Sequence, residues 1–252
     1  YETNNTTKNV GLFDLTPFSK FEIKSNQAHR ELQKICTANI KNEAGKCVYT
    51  HMLNPDGGIE TDLTVVCIEK DHFRIISSAA TRERDKFHIN KHLAKDVELK
   101  DVTDDYCVFG VFGPKSRALM KSISKDNFEN DNFRFSTAKY ITIEGIKIWT
   151  QRLSYVGELG YELYVKSKDA KKIYELLVNK GKDFNLSNCG MHAMDIMRME
   201  SGFLHWGHDI SPEENQYQAG LNFTISYKKE DEFIGKKALE KIKKEEIKSR
   251  FA

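Results

Sequence analysis

CVYTHMLNPDGGIETDLTVVC, residues 47–67, decides the fold class. Two runs rich in Val, Thr and Ile flank Asn54-Pro55-Asp56-Gly57-Gly58. Such runs favour extended backbone, and Pro followed by Gly favours a turn, so the stretch predicts a β-hairpin with strands over 47–53 and 59–67. On the second strand the alternation sets Ile59, Thr61, Leu63, Val65 and Cys67 on one face and Glu60, Asp62, Thr64 and Val66 on the other. Asp is a poor strand former. Asp62 in mid-strand is therefore either a solvent-facing acid or a carboxylate placed for chemistry.

Before the hairpin, residues 10–24 predict a strand broken near Pro17. Asn26 is expected to cap a helix running to Ala38, with Ala28, Leu32, Ile35 and Cys36 on one stripe. After the hairpin come a strand over 73–78, a helix over 81–93 and strands over 97–102 and 106–112. Gly113-Pro114 is expected to open a helix to Ile123, with Pro at the first helical position. Residues 47–125 thus predict an antiparallel sheet with helices on one face.

Beyond a polar, Asn-rich connection (125–132) the pattern restarts. A hairpin is expected over 140–143 and 146–153 across Glu144-Gly145, then a strand over 160–166. Helices follow over 169–179, ended near Gly181, and over 191–200, ended before Gly202. A strand over 221–227 and a basic helix over 234–243 lead to a polar tail, and the Lys/Glu-rich face of 236–248 is expected to face solvent.

The 252 residues carry 39 Lys+Arg against 37 Asp+Glu, a net charge of +2. That balance argues against nucleic acid as a partner, and no apolar run reaches the ~18 residues that cross a bilayer. Five cysteines, at 36, 47, 67, 107 and 189, are odd in number and form no C-x-x-C, so reduced thiols in a cytoplasmic setting are expected. The first eight residues are polar and unlike a signal peptide, and a start without Met points to a fragment of a longer polypeptide. His205-Trp206-Gly207-His208-Asp209 holds potential metal ligands, but Gly202 and Gly207 argue against the helix that would align them, so no metal is expected. No G-x-G-x-x-G or phosphate loop is present.

A second informative segment is Ser154-Tyr155-Val156-Gly157-Glu158-Leu159-Gly160-Tyr161-Glu162-Leu163-Tyr164. Glycines let backbone approach a ligand, tyrosines offer flat surface and a glutamate accepts two hydrogen bonds from an amidine-like edge. An ordinary turn with tyrosines packed at its base fits the composition equally well.

These segments, with Val10-Gly11-Leu12-Phe13-Asp14-Leu15, Phe112-Gly113-Pro114, Met197-Arg198-Met199-Glu200-Ser201-Gly202, His205 to Ile210, Glu213-Glu214 to Ala219-Gly220-Leu221 and Phe233 to Leu239, occur in one order across nearly the whole chain. In that order the chain resembles the folate-dependent aminomethyltransferase family of the glycine cleavage T-protein. It is more similar still to the folate-binding half of dimethylglycine and sarcosine dehydrogenases. The resemblance implies an α+β fold of antiparallel sheets with flanking helices, the first two domains of a cloverleaf, with the C-terminal β-barrel absent. It implies a discontinuous folate-binding domain over 1–46 and 137–230, a ferredoxin-like α+β domain over 47–136, and a helical tail over 231–252 leading to the missing barrel.

By the same resemblance Asp62 is the catalytic acid beside the folate nitrogens that handle the one-carbon unit. Leu63, Thr64, Tyr155, Glu162, Leu163, Tyr164 and Phe223 fall on folate-binding positions, with Glu162 holding the pterin edge. The T-protein has arginine in an Ala-Arg-Asp helix where this chain has Ala193-Met194-Asp195, a departure that favours the dehydrogenase-associated branch. The implied cofactor is tetrahydrofolate; FAD belongs only to the dehydrogenase alternative, in an N-terminal domain outside this sequence. The implied partners are an amine or aminomethyl donor and a lipoyl carrier protein. The implied reaction forms 5,10-methylenetetrahydrofolate. The alternatives are the folate-binding half of a flavin-dependent dimethylglycine or sarcosine dehydrogenase and, since some family members bind folate without transferring a group, a binding-only role.

Overall fold

The computed structural model describes residues 1–245. In chain order the elements are α1 (Glu2–Lys8), β1 (Val10–Asp14), β2 (Ser19–Lys24), α2 (Ala28–Ile35), β3 (Cys47–Leu53), β4 (Ile59–Glu69), β5 (His72–Ser77) and α3 (Arg82–His92). They continue with β6 (Leu99–Asp101), β7 (Tyr106–Phe112), α4 (Ser116–Ile123), β8 (Ala138–Ile143), β9 (Ile146–Gln151) and β10 (Gly160–Lys166). The last are α5 (Ala170–Gly181), β11 (Leu186–Cys189), α6 (Met191–Glu200) and α7 (Lys236–Ile242). The fold is α+β, with open sheets and flanking helices, and among the described residues neither sheet closes into a barrel.

The chain divides into two compact units. One comprises Tyr1–Pro17 and Thr103–Phe203, the other Phe18–Val102 and, among the described residues, 204–245. Strand pairing follows this division: β2 joins β5 and β6, whereas β7 joins β1 and β10.

In the first unit a six-stranded sheet has the order β11-β1-β7-β10-β9-β8. All its mapped pairs are antiparallel except β1 with β11, so the expected antiparallel sheet is mixed at this point. Neither α1 nor β11 was expected from the sequence, since the polar Glu2–Lys8 segment carries no apolar stripe. Alternation buries Val10, Leu12, Phe109, Val111, Ile148, Tyr161, Leu163 and Val165 on one sheet face against Leu119, Met120, Ile173 and Leu177 of α4 and α5. The opposite face carries Trp149, Gln151, Glu162 and Tyr164 in register.

In the second unit a five-stranded sheet has the order β3-β4-β5-β2-β6. The hairpin turn is tied by Asn54, whose Oδ1 accepts from the amides of Asp56 and Gly58 at 3.0 and 2.9 Å. Gly57 has φ +89°, and a Cβ on Gly58 would lie 1.9 Å from the Pro212 carbonyl oxygen, so both glycines are required here. Leu63, Val65 and Cys67 of β4 bury with Leu32, Ile35, Phe73, Ile75 and Ile89.

Four local expectations are corrected. The α2 N-cap is Gln27, not Asn26; the Gln27 amide donates to Ser25 Oγ. That helix ends at Ile35, short of Ala38, where the buried Lys229 ammonium donates to the carbonyls of Gln33, Cys36 and Ala38. Gly113, at φ +124°, forms a turn that delays α4 to Ser116, so Pro114 precedes the helix. Residues 221–227 form no strand but a 3₁₀ turn over Asn222–Thr224, because the Thr224 hydroxyl bonds back to the Leu221 carbonyl at 2.7 Å. Of the tail expected over 231–252, helix is present at Lys236–Ile242, and 246–252 lie outside the described residues. All five cysteines are free thiols, and no helix among the described residues is long and apolar enough to cross a membrane.

Candidate functional site

In the first unit, Glu162 lies on β10 between Gly110 of β7 and Gln151 of β9. Period-two geometry sets Tyr164 on the same face, and its hydroxyl donates to Glu162 Oε2 at 3.1 Å. Burial pushes the Glu162 carboxyl up to about 7, against the lowering effect of that single donor. A carboxyl in this state has spare acceptor capacity and too few donors. Leu163, the next residue, points into the opposite core, so only its backbone borders this face.

The 153–159 loop precedes β10. Tyr155 stacks on Phe203 with ring centroids 6.0 Å apart and planes 16° apart. The loop is held close by Gly157, at φ +74°, where a Cβ would meet Ser201 Oγ at 2.0 Å. Glu158 in this loop is also raised by burial.

In the second unit, Asp62 sits in mid-β4 directly opposite His51 of β3. It is half-buried, not the solvent-facing acid that alternation alone allowed. Burial pushes its carboxyl up to about 7; the Asp85 charge adds to this, and a hydrogen bond from Tyr49 opposes it. Asp85 is fully buried on α3 and accepts from Thr61 at 3.1 Å and Thr81 at 2.6 Å, so it grips β4 one residue before Asp62. Thr64 shares the Asp62 face, whereas Leu63 lies in the core.

Phe223 is 75% exposed. It lines an open pocket of about 520 Å³ with Tyr49, Lys41, Lys46 and Ser226. Tyr49 thus links Asp62 to the pocket that Phe223 borders. The turn under Phe223 is fixed by a buried polar cluster: Thr224 Oγ1 lies 3.1 Å from His51 Nδ1 and accepts from Gln216 Nε2 at 2.5 Å, and the same Gln216 amide lies 3.1 Å from His51 Nδ1. Burial pushes His51 down to about 3, so the ring is neutral.

The His205 to Asp209 segment is a turn in which Asp209 Oδ2 accepts the His205 amide at 2.8 Å. Its Trp206 donates to the Ile59 carbonyl at 2.9 Å and lies under the Arg84 guanidinium, 4.4 Å away. This segment braces the entry to β4.

Tyr49, Gln151 and Phe203 belong to these surroundings and were not singled out from sequence. Finding Tyr49 and Gln151 requires the register of β3 on β4 and of β9 on β10, and Phe203 follows a helix with no local signal.

The profile of the GCVT N-terminal domain matches residues 1–229. The chain belongs to that family. It is 39% identical over 235 residues to 4-methylaminobutanoate oxidase (formaldehyde-forming) of Paenarthrobacter nicotinovorans, covering 92% of this chain and 28% of that protein. It is 33% identical over 252 residues to mitochondrial dimethylglycine dehydrogenase of Rattus norvegicus, covering 99% and 29%. It is 33% identical over 237 residues to an aminomethyltransferase of Halothermothrix orenii, covering 93% and 65%. The chain therefore spans less than a third of the first two relatives and about two-thirds of the third. Its fold matches the glycine cleavage system aminomethyltransferase T of Bartonella henselae with a TM-score of 0.85 at 22% identity, over 96% of this chain and 66% of that one.

Proposed function

We propose that the chain is the tetrahydrofolate-binding, aminomethyl-transfer part of an enzyme that forms 5,10-methylenetetrahydrofolate. The observation that carries this reading is Glu162 in the first unit, a carboxyl that burial pushes to about 7 and that one tyrosine hydroxyl holds; Asp62 in the second unit is raised by burial in the same way. Such costly groups are retained where a ligand uses them. The residues fit a reduced pterin. Glu162 has unused acceptor capacity for adjacent ring N–H and amino donors, and the Tyr155–Phe203 stack offers a flat wall.

Bound tetrahydrofolate supplies the nitrogens that take up the one-carbon unit. The chain does the rest by placement and charge. Glu162 fixes ring orientation. Asp62, when ionised, stabilises positive charge on the carbon being transferred and orients a nearby N–H. Tyr49 steadies the Asp62 carboxylate without neutralising it.

The amine donor separates two forms of this reading. Similarity to dimethylglycine dehydrogenase over 99% of this chain and to sarcosine dehydrogenase over 92% supports the folate half of a flavin-dependent dimethylglycine or sarcosine dehydrogenase. Met194, at the position where the resemblance expects an arginine, agrees with that form. A lipoyl carrier protein is the partner that the glycine-cleavage form would need.

Titration calorimetry with tetrahydrofolate tests the reading. Binding by the wild-type chain, weakened by Glu162→Gln, is expected. No binding by the wild type under conditions where it is folded would sink it. Methylenetetrahydrofolate production from an amine donor then separates transfer from binding alone.

A further inference from the structure

We infer that Gln151 is a second polar anchor of this ligand site, pairing with Glu162 to read the edge of a flat heterocycle that carries an acceptor beside its donors. The inference rests on the folate reading above and adds a specificity residue to it.

Gln151 is fully buried at the end of β9, yet neither its amide nitrogen nor its amide oxygen has a hydrogen-bond partner. Roughly nine-tenths or more of buried polar groups in folded proteins are paired, so an amide with both ends unmade calls for an explanation. Its position supplies one. Gln151 is in direct register with Glu162, and opposite residues on antiparallel strands have Cβ atoms about 4.5–5.5 Å apart. The next pair on the same face is Trp149 with Tyr164, and the buried Trp149 Nε1 is also unpartnered. Three unmade hydrogen-bonding atoms therefore flank one half-open carboxyl on a single sheet face.

The two side chains are complementary. An ionised carboxylate only accepts, whereas an amide also donates. A pterin edge presents an amino group and a ring N–H as donors, followed by a carbonyl oxygen. Glu162 takes the donors, and the Gln151 N–H meets the oxygen. A site with the carboxylate alone would leave that oxygen unread. Discrimination is strongest where a mismatch strands a buried polar group.

The test uses the 252-residue chain, tetrahydrofolate as probe and calorimetry at pH 8, with thermal melting of the ligand-free protein. Gln151→Met keeps length and shape but removes both polar atoms; Gln151→Glu keeps an acceptor but removes the donor. Both are expected to bind roughly tenfold or more weakly. The ligand-free Gln151→Met protein is expected to melt no lower than wild type, because an unmade amide contributes nothing to the fold. A lower melting temperature would assign Gln151 a structural role and overturn the inference, as would full affinity in Gln151→Glu. Binding that Glu162→Gln weakens and Gln151→Met leaves unchanged overturns the inference alone. No binding by wild type overturns it together with the folate reading.

Discussion

The hydroxyl of Tyr164 donates to the carboxyl of Glu162 at 3.1 Å from two residues further along the same strand. The donor favours the ionised form, burial disfavours it more strongly, and the balance leaves the group titrating at about 7. A folate site that depends on an ionised Glu162 is therefore pH-sensitive in the neutral range.

Tetrahydrofolate affinity is expected to be highest above pH 7 and to fall by up to about tenfold per unit below it, as Glu162 takes up a proton. Glu162→Gln should remove this dependence and weaken binding at pH 8 by about tenfold to a hundredfold, the loss of a charge-assisted pair. Calorimetry from pH 5.5 to 8.5 checks both. A flat wild-type profile would remove Glu162 from the ligand's contacts.

Asp62→Asn should separate chemistry from folding. Turnover in the complete enzyme is expected to drop on the order of a hundredfold, with folate affinity changed far less. The Asp62 carboxyl is raised in the fold, so its stabilising contribution is full below the unfolded carboxylate range and is lost as pH rises through about 7. At pH 8 the variant should therefore be the more stable protein, by about 1–3 kcal/mol after allowing for partial solvent screening. At pH 4 the difference should vanish. Paired denaturant titrations at the two pH values would expose an error in either sign.

Two glycines with opposite surroundings give a calibrated pair. Gly58→Ala drives a Cβ into the Pro212 carbonyl and is expected to destabilise by about 2–4 kcal/mol, since backbone has to move. Gly145→Ala faces open space at φ +75° and should cost only about 1 kcal/mol of backbone strain. Equal melting temperatures for the two variants would contradict the close approach at Gly58.

Lys229→Met keeps an apolar side chain of similar length and removes the ammonium that closes α2 and lies 4.7 Å from the Phe233 ring centre. Stranding carbonyls at a buried helix end should destabilise the protein by about 1–3 kcal/mol. A melting temperature at or above that of wild type would show that burial of the ammonium, which lowers its pKa to about 8, outweighs the bonds it makes.

Much of this was legible in the sequence where the signal was local. The strands Tyr106–Phe112 and Gly160–Lys166 and helix Met191–Glu200 have the limits that periodicity set, because alternation and apolar spacing are short-range patterns. β11 and α1 escaped because neither has a periodic face of its own; β11 is a strand by virtue of parallel pairing with Val10–Phe13. Residues 221–227 carry strand-forming Phe, Thr, Ile and Tyr, but hydroxyl bonds to backbone overrode propensity. At the site, Asp62 stood out as an acid in mid-strand and Glu162 as part of a segment rich in glycine and tyrosine, and the resemblance supplied their roles. Their burial, and the Tyr49 donor of Asp62, depend on register and packing that no single strand encodes.

The pairing of β1 sets an order of events during synthesis. Gly11 pairs with Phe112, about 100 residues later, and with Ser187, later again. The whole β2–β6 sheet is translated before β1 has any partner. Val10, Leu12 and Phe13 therefore spend the making of that stretch as an apolar segment with open hydrogen-bonding edges. A nascent chain of this protein is exposed to chaperone capture and to mispairing at β1 until β7 has left the ribosome.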